Sequence, residues 1–236
     1  MKKIFVILSL FALPLAGCET AKQVLGSVGS VGSTGNGSLS NAEIVQGLKE
    51  ALRVGADSST RRLSLLNGFF GDDIIRILMP PEAVKVEKTL RDVGFGKTVD
   101  KAVLSMNRAA EDASKYVGDI LWNSIKNMSI QDALGILQGG DFAATEYLKR
   151  TTTLQLTDQF RPVITRSLAN VDATKHWNEV FSVYNKFSNN PVNTDLPAYV
   201  TEKALSGLFY HIGLQEQKIR KDPVARVTEI LKRVFG

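Results

Sequence analysis

Three groups of side chains in this sequence have the type and spacing to do chemistry. Cys18 is the only thiol in 236 residues, so no internal disulfide or thiolate metal cluster is available. It follows Leu15-Ala16-Gly17 at the end of an apolar run. Asn107 and Glu111 stand four apart, as do Glu216 and Arg220, and on a helix each pair shares a face. Glu216 falls inside the apolar stripe of Thr201, Leu205, Leu208, Ile212 and Ile219, where a charge costs free energy unless it is paired. Two readings of these four residues stand side by side. They form an ion pair and a hydrogen-bonded asparagine at helix crossings, or they floor an apolar cleft that binds a ligand or does acid–base work. The third group is Asp158 and Arg161, expected to pair locally beside Pro162. His176 and His211 are the only histidines, and His211 reads as a surface or boundary residue. No HExxH, GxSxG or P-loop pattern occurs, so no catalytic residue, metal ligand or cofactor is expected.

The elements that must position these groups read as helix after helix. Ser40-x-x-Glu43 is a capping box, and Ile44, Leu48, Ala51 and Leu52 then share one face. Turns are marked at Asn67-Gly68 and Gly71-Asp72, and Ile74 to Leu78 suits a short strand or a helical turn. Pro80-Pro81 opens a helix to about Val93, ended by Gly94 and Gly96. Val99, Val103, Met106, Ala110, Ala113, Val117 and Leu121 step by threes and fours, which predicts one helix over 97–128. Ser129 with Asp132 starts a short helix to about Gln138. Asp141 suits the cap of a helix reaching Leu168, kinked at Pro162. Asp172 suits the cap of a helix to Phe187, Asp195 and Pro197 open another, and Asp222-Pro223 opens the last. The fold class is all-α: one domain of about seven or eight helices over 40–236.

Two segments precede that domain. Lys2 and Lys3, the apolar stretch from Ile4 to Leu15 and the small residues after it have the three parts of a secretory signal peptide over 1–17. The apolar stretch is too short to span a bilayer, which takes about 20 residues. Residues 18–39 are rich in Gly and Ser and read as a flexible tether with an r.m.s. reach of roughly 25 Å. The 29 Lys and Arg against 24 Asp and Glu give +5, and loss of Lys2 and Lys3 leaves +3. That balance does not point to nucleic acid. The basic side chains near the C-terminus, such as Lys218, Lys221 and Arg226, read as a solvated face.

Leu15-Ala16-Gly17-Cys18 resembles the lipobox of bacterial lipoproteins. The resemblance implies that Cys18 carries diacylglycerol and, after cleavage, an acylated amine, which anchors the chain in a membrane. Glu19, rather than Asp, after the cysteine implies the outer membrane, with the body facing the periplasm. A second resemblance covers nearly all of 40–236. Gly47-Leu48-Lys49-Glu50-Ala51-Leu52, Asn107-Arg108-Ala109-Ala110-Glu111, Tyr199-Val200-Thr201-Glu202-Lys203-Ala204-Leu205, Gly207-Leu208-Phe209 and the end Val234-Phe235-Gly236 resemble the bacterial domain-of-unknown-function family 4197. Ser206 stands where that pattern has an acidic residue. This family implies an exported, mostly helical domain and supplies no mechanism. The expected function is a lipid-anchored, non-catalytic accessory or binding protein of the cell envelope, with an envelope protein as partner. The alternatives are a carrier or sensor of a small apolar ligand held between helices, and an enzyme using Glu and Arg groups.

Overall fold

The computed structural model describes residues 39–189 and 191–235. The signal peptide expected at 1–17, Cys18 with its preceding motif, and the linker as far as residue 38 lie outside the described residues. Helix α1 (Asn41–Leu63) starts at the expected capping box: the Glu43 N–H donates to Ser40 Oγ, and the Ser40 N–H donates to the Glu43 carboxylate at 3.0 Å. Leu48, Leu52, Ala56 and Leu63 bury one face of α1 in the main core.

Residues 64–80 form turns and extended chain rather than a strand or helix. Ile75 and Ile77 are buried while Ile74 and Leu78 are exposed, so the apolar side chains divide between core and solvent. A short 3-10 turn, Pro81–Ala83, leads into α2 (Val84–Leu90) and then a π-turn at Arg91–Phe95. Gly94 breaks the helical path with φ at +93°. Gly96 does not end a helix but opens α3 (Gly96–Ser114).

The single helix predicted over 97–128 is two helices, α3 and α4 (Gly118–Lys126). The Lys115 and Tyr116 N–H groups donate three residues back, to Asp112 O and Ala113 O, which tightens and closes the last turn of α3. The apolar seam runs on through the break, with Val117 and Leu121 fully buried. Periodicity alone therefore cannot reveal the corner. Helix α5 (Ile130–Gln138) starts at the Ser129–Asp132 capping box.

Helix α6 (Ala143–Ala169) runs through Pro162 without interruption. Asp141 does not cap it; the Asp141 carboxylate instead accepts from Lys221 and Gln217. Asp172 occupies the cap position of α7 (Ala173–Tyr184) in a left-handed conformation and makes no capping bond with its side chain. Asp195 does cap α8 (Leu196–Lys221), accepting from the Ala198 N–H at 3.0 Å. Arg161 reaches Asp195 at 2.5 Å rather than its helical neighbour Asp158, which is exposed. After a 3-10 turn at Pro223–Ala225 the last helix is α9 (Glu229–Phe235), so Asp222-Pro223 opens a turn and not the helix itself.

Helix α6 packs on both α3 and α8, and α1 packs on α8 with α4, α5 and α9 around it. A main apolar core joins these elements, with Leu148, Leu156, Phe160, Ile164 and Leu208 fully buried, and Ala51, Ile219 and Leu231 form a small second cluster beneath α9. Each such side chain contributes about 1.5–3 kcal/mol by leaving water. There is no β-strand among the described residues, and no helix among them is long and apolar enough to cross a membrane. One element stands apart. Helix α2 and its π-turn have no fully buried side chain, though Val86 packs half-buried against the core, and both lie along α3.

Candidate functional site

The four polar residues singled out from the sequence fall into two separate groups. Asn107 is fully buried on α3. Its Oδ1 accepts from the Ile77 N–H at 2.8 Å, and its Nδ2 donates to the Ile77 carbonyl at 2.8 Å. The amide thus supplies the pair of bonds that a neighbouring strand would have given residues 76–78. One turn along, Glu111 accepts from the Phe69 and Phe70 N–H groups at 3.1 and 3.2 Å, and from Arg108 at 2.5 Å. Together Asn107 and Glu111 fasten the irregular 64–80 segment to α3. Phe69 sits close against α8 because residue 207 is glycine: a Cβ there would come within 2.7 Å of the Phe69 ring.

Glu216 and Arg220 meet at 2.9 Å on α8, and both are buried or nearly so. The Glu216 carboxylate also accepts from the Ala144 N–H at 2.9 Å, the Thr145 N–H at 2.8 Å and the Thr145 hydroxyl at 2.7 Å. Those are the unsatisfied donors of the first turn of α6, which has no side-chain cap of its own. The carboxylate also lies at the positive end of the α6 dipole. Arg220 donates onward to the Ile136 carbonyl near the end of α5. The free space beside this pair is only about 20 Å³, room for roughly one water.

His211 corrects the sequence reading: it is 4 % exposed, not a surface residue. Its Nε2 lies 3.1 Å from the Asp72 carboxylate, which also takes Arg62 at 3.2 Å. An ionised carboxylate only accepts, so Nε2 carries the proton. Burial pushes the His211 imidazolium below its ordinary range, and the Arg62 charge adds to this against the pull of Asp72. Burial raises the Asp72 carboxyl, but the Ile74 N–H, Arg62 and His211 together hold it below its usual value. The signal for a buried His211 was its register with the buried face of α8, with Gly207 and Ala204 one and two turns before it.

A large apolar space lies elsewhere, under α2. A half-open cleft of 790 Å³ runs along α3, roofed by α2 and walled by α7. Thr98, Lys101, Ala102, Ser105, Ala109 and Asp112 line one face of α3, a stripe roughly 21 Å long at the helical rise. Val86 and Leu90 face it from α2, and Trp177, Val180 and Phe181 from α7. The Trp177 and Phe181 rings pack at 4.3 Å between centroids, and the Trp177 N–H donates to the Asn193 carbonyl at 3.0 Å. Sequence reasoning read α7 as a helix but had no means of knowing that its aromatic face meets a gap.

The polar groups in this cleft are mostly engaged. Glu87 bonds Arg91, Arg108 bonds Glu111 and Asn67, and Asp112 bonds Lys115 and Ser167. The Ser105 and Ser167 hydroxyls donate to Ala102 O and Asp112, while His176 faces Glu179 at 3.4 Å. Of these hydroxyls only Ser167 meets a carboxylate, that of Asp112, which Lys115 also holds at 2.9 Å. No group of three or more metal-binding side chains occurs among the described residues. A second groove of 800 Å³ lies between α6 and α8, and its lining includes Glu146, Lys149, Arg161 and Glu202 along with Phe142 and Leu205. Lipidation of Cys18 and the motif Leu15, Ala16, Gly17 concern residues outside those described.

Compared with known proteins, residues 38–236 match the family described as protein of unknown function, DUF4197. No curated protein and no solved structure matches the chain.

Proposed function

Because the chain belongs to the DUF4197 family, whose function is not known, we propose from its own residues that it is a lipid-anchored, non-catalytic binding protein of the cell envelope, facing the periplasm. Its ligand is a small apolar molecule held between α2, α3 and α7. The observation that carries this reading is the 790 Å³ cleft, lined by Val86, Leu90, Ala102, Trp177 and Phe181. Its volume falls in the range of about 300–1,000 Å³ common to small-ligand sites. The anchor rests on Leu15-Ala16-Gly17-Cys18 behind an apolar leader. Two or more acyl chains make membrane attachment stable, at about 0.8 kcal/mol per buried methylene.

A second reading, an accessory protein that docks another envelope protein, is favoured by the α6–α8 groove with its mixed charged and apolar lining. An enzyme built on Glu216, Arg220, Asn107 and Glu111 has little support. Their polar atoms are bonded to backbone and to one another, and there is no room for a substrate beside Glu216.

Two measurements test the proposal. Cys18→Ser should move the protein from the membrane fraction to the soluble fraction. Retention on membranes through a high-salt wash would overturn the lipid anchor. A neutral naphthylamine dye should bind the chain saturably at one site, and Ala102→Phe, which fills the trough, should abolish that binding. Equal dye uptake by both proteins would overturn the cleft as the binding site.

A further inference from the structure

We infer that the cleft takes a single-chain amphiphile with an anionic head, its acyl chain lying along α3 and its head paired with Lys101. This rests on the reading of the cleft as a ligand site and specifies what the ligand is.

Shape decides the body of the ligand. The α3 stripe from Thr98 to Asp112 is roughly 21 Å long. A guest helix of that length, about 10–12 Å across, would displace roughly 2,000 Å³. The cleft is half-open and holds 790 Å³, so a helix would lie across its mouth, whereas a slimmer chain lies within it. An acyl chain extends across about half of the ~30 Å hydrocarbon core of a bilayer, roughly 15 Å. That fits within the stripe and leaves space for a head group. The floor suits such a chain, since Ala102 and Ser105 are short and half-buried and leave the trough open above the α3 backbone.

Charge decides the head. Glu87, Arg108 and Asp112 each have an oppositely charged partner in Arg91, Glu111 and Lys115. Lys101 lines the same cleft, is exposed, and has no hydrogen bond or ion pair among the described residues. The cleft therefore carries one uncompensated positive charge at its mouth. A carboxylate or a phosphodiester satisfies it equally well.

Helix α2 is built to admit such a guest. It contributes Val86 and Leu90 to the cleft, both only half-buried, so a ligand beneath it would complete their apolar cover. Gly94, at positive φ with open space around it, lets the π-turn swing without a steric penalty. Among the described residues, only the exposed Arg91–Asp100 pair, at 2.8 Å, ties the turn to α3 by charge.

Trp177 makes the test direct, because it lines the cleft and Trp122 is the only other tryptophan. The chain carrying Cys18→Ser and Trp122→Phe is titrated, below micelle-forming concentrations, with palmitate, with a lysophosphatidylglycerol and with hexadecanol. Palmitate or the lysophospholipid should change Trp177 emission saturably, one per chain, and hexadecanol should bind about tenfold more weakly. Lys101→Glu should weaken anionic binding by about tenfold and leave hexadecanol unchanged. Added salt should act on the anionic ligands alone. Amide exchange over 81–95 should slow on binding. A Lys101 effect confined to palmitate assigns the head as a free carboxylate, and an effect on both assigns any anionic single-chain lipid. Hexadecanol binding as tightly as palmitate, with no Lys101 effect, overturns the anionic head while the apolar site stands. No Trp177 response to any of the three overturns the site as well.

Discussion

Glu216 does for the start of α6 what no residue near that start does. Phe142 occupies the cap position and offers no side-chain acceptor, so the Ala144 and Thr145 N–H groups turn to a carboxylate on another helix. Glu216→Gln keeps the shape but removes the charge that holds Arg220 and favours the helix dipole. It should cost on the order of 1–3 kcal/mol in urea denaturation and leave binding to the α2–α3–α7 cleft unchanged. Equal stability with lost binding would return Glu216 to the functional site. His211 gives a pH signature whose sign follows from its burial. Its folded pKa lies below the ordinary 6.5, so the unfolded chain takes up the proton first. The contribution is therefore complete above about pH 6.5 and is lost as pH falls toward the depressed folded value. Asp72 acts in the same direction lower down, below its usual 3.8. The urea midpoint should fall between about pH 7 and pH 5, and His211→Gln should flatten that fall. The pairing of Glu216 with Arg220 was legible in the sequence because four-residue spacing on a helix is a local property. The capping of α6 by the same carboxylate was not, because it joins residues 72 apart.

At the scale of elements, capping chemistry located helix starts well where the cap was local. Ser40, Ser129 and Asp195 all accept from the expected N–H groups. It failed at Asp141, because Lys221 and Gln217 from α8 compete for that carboxylate. The corner between α3 and α4 was hidden for a different reason: both helices present the same buried seam, so the pattern continues while the backbone turns. Residues 64–80 were illegible as an element because nothing in them repeats; Asn107 and Glu111 hold them from outside. Close approach of this segment to α8 depends on Gly207. Gly207→Ala would place a methyl 2.7 Å from Phe69 and 3.3 Å from Ile75. Overpacking there should cost about 1–3 kcal/mol, read as a lower thermal midpoint with helix content unchanged. An unaltered midpoint would mean that the Phe69 ring moves aside freely.

At the scale of the whole molecule, the all-α class and single core were legible because helical periodicity and turn residues are written along the chain. The cleft was not, since a gap is defined by what three distant elements fail to fill. Helix α2 looks in sequence like any other short amphipathic helix. Only its position on α3 leaves Val86 and Leu90 half-covered. The capping of α6 by Glu216 also bears on the order in which the molecule assembles. The first turn of α6 lacks an acceptor until α8 arrives, so closing a long loop must precede its final setting, and long-range closure slows folding. A chain that ends before residue 196 should keep much of its far-ultraviolet helical signal but lose fixed tertiary packing, as near-ultraviolet dichroism would report. During synthesis the same dependence holds the body loose until α8, about the last fifth of it, has emerged. If the chain is exported as proposed, that delay would keep it threadable until it has crossed the membrane.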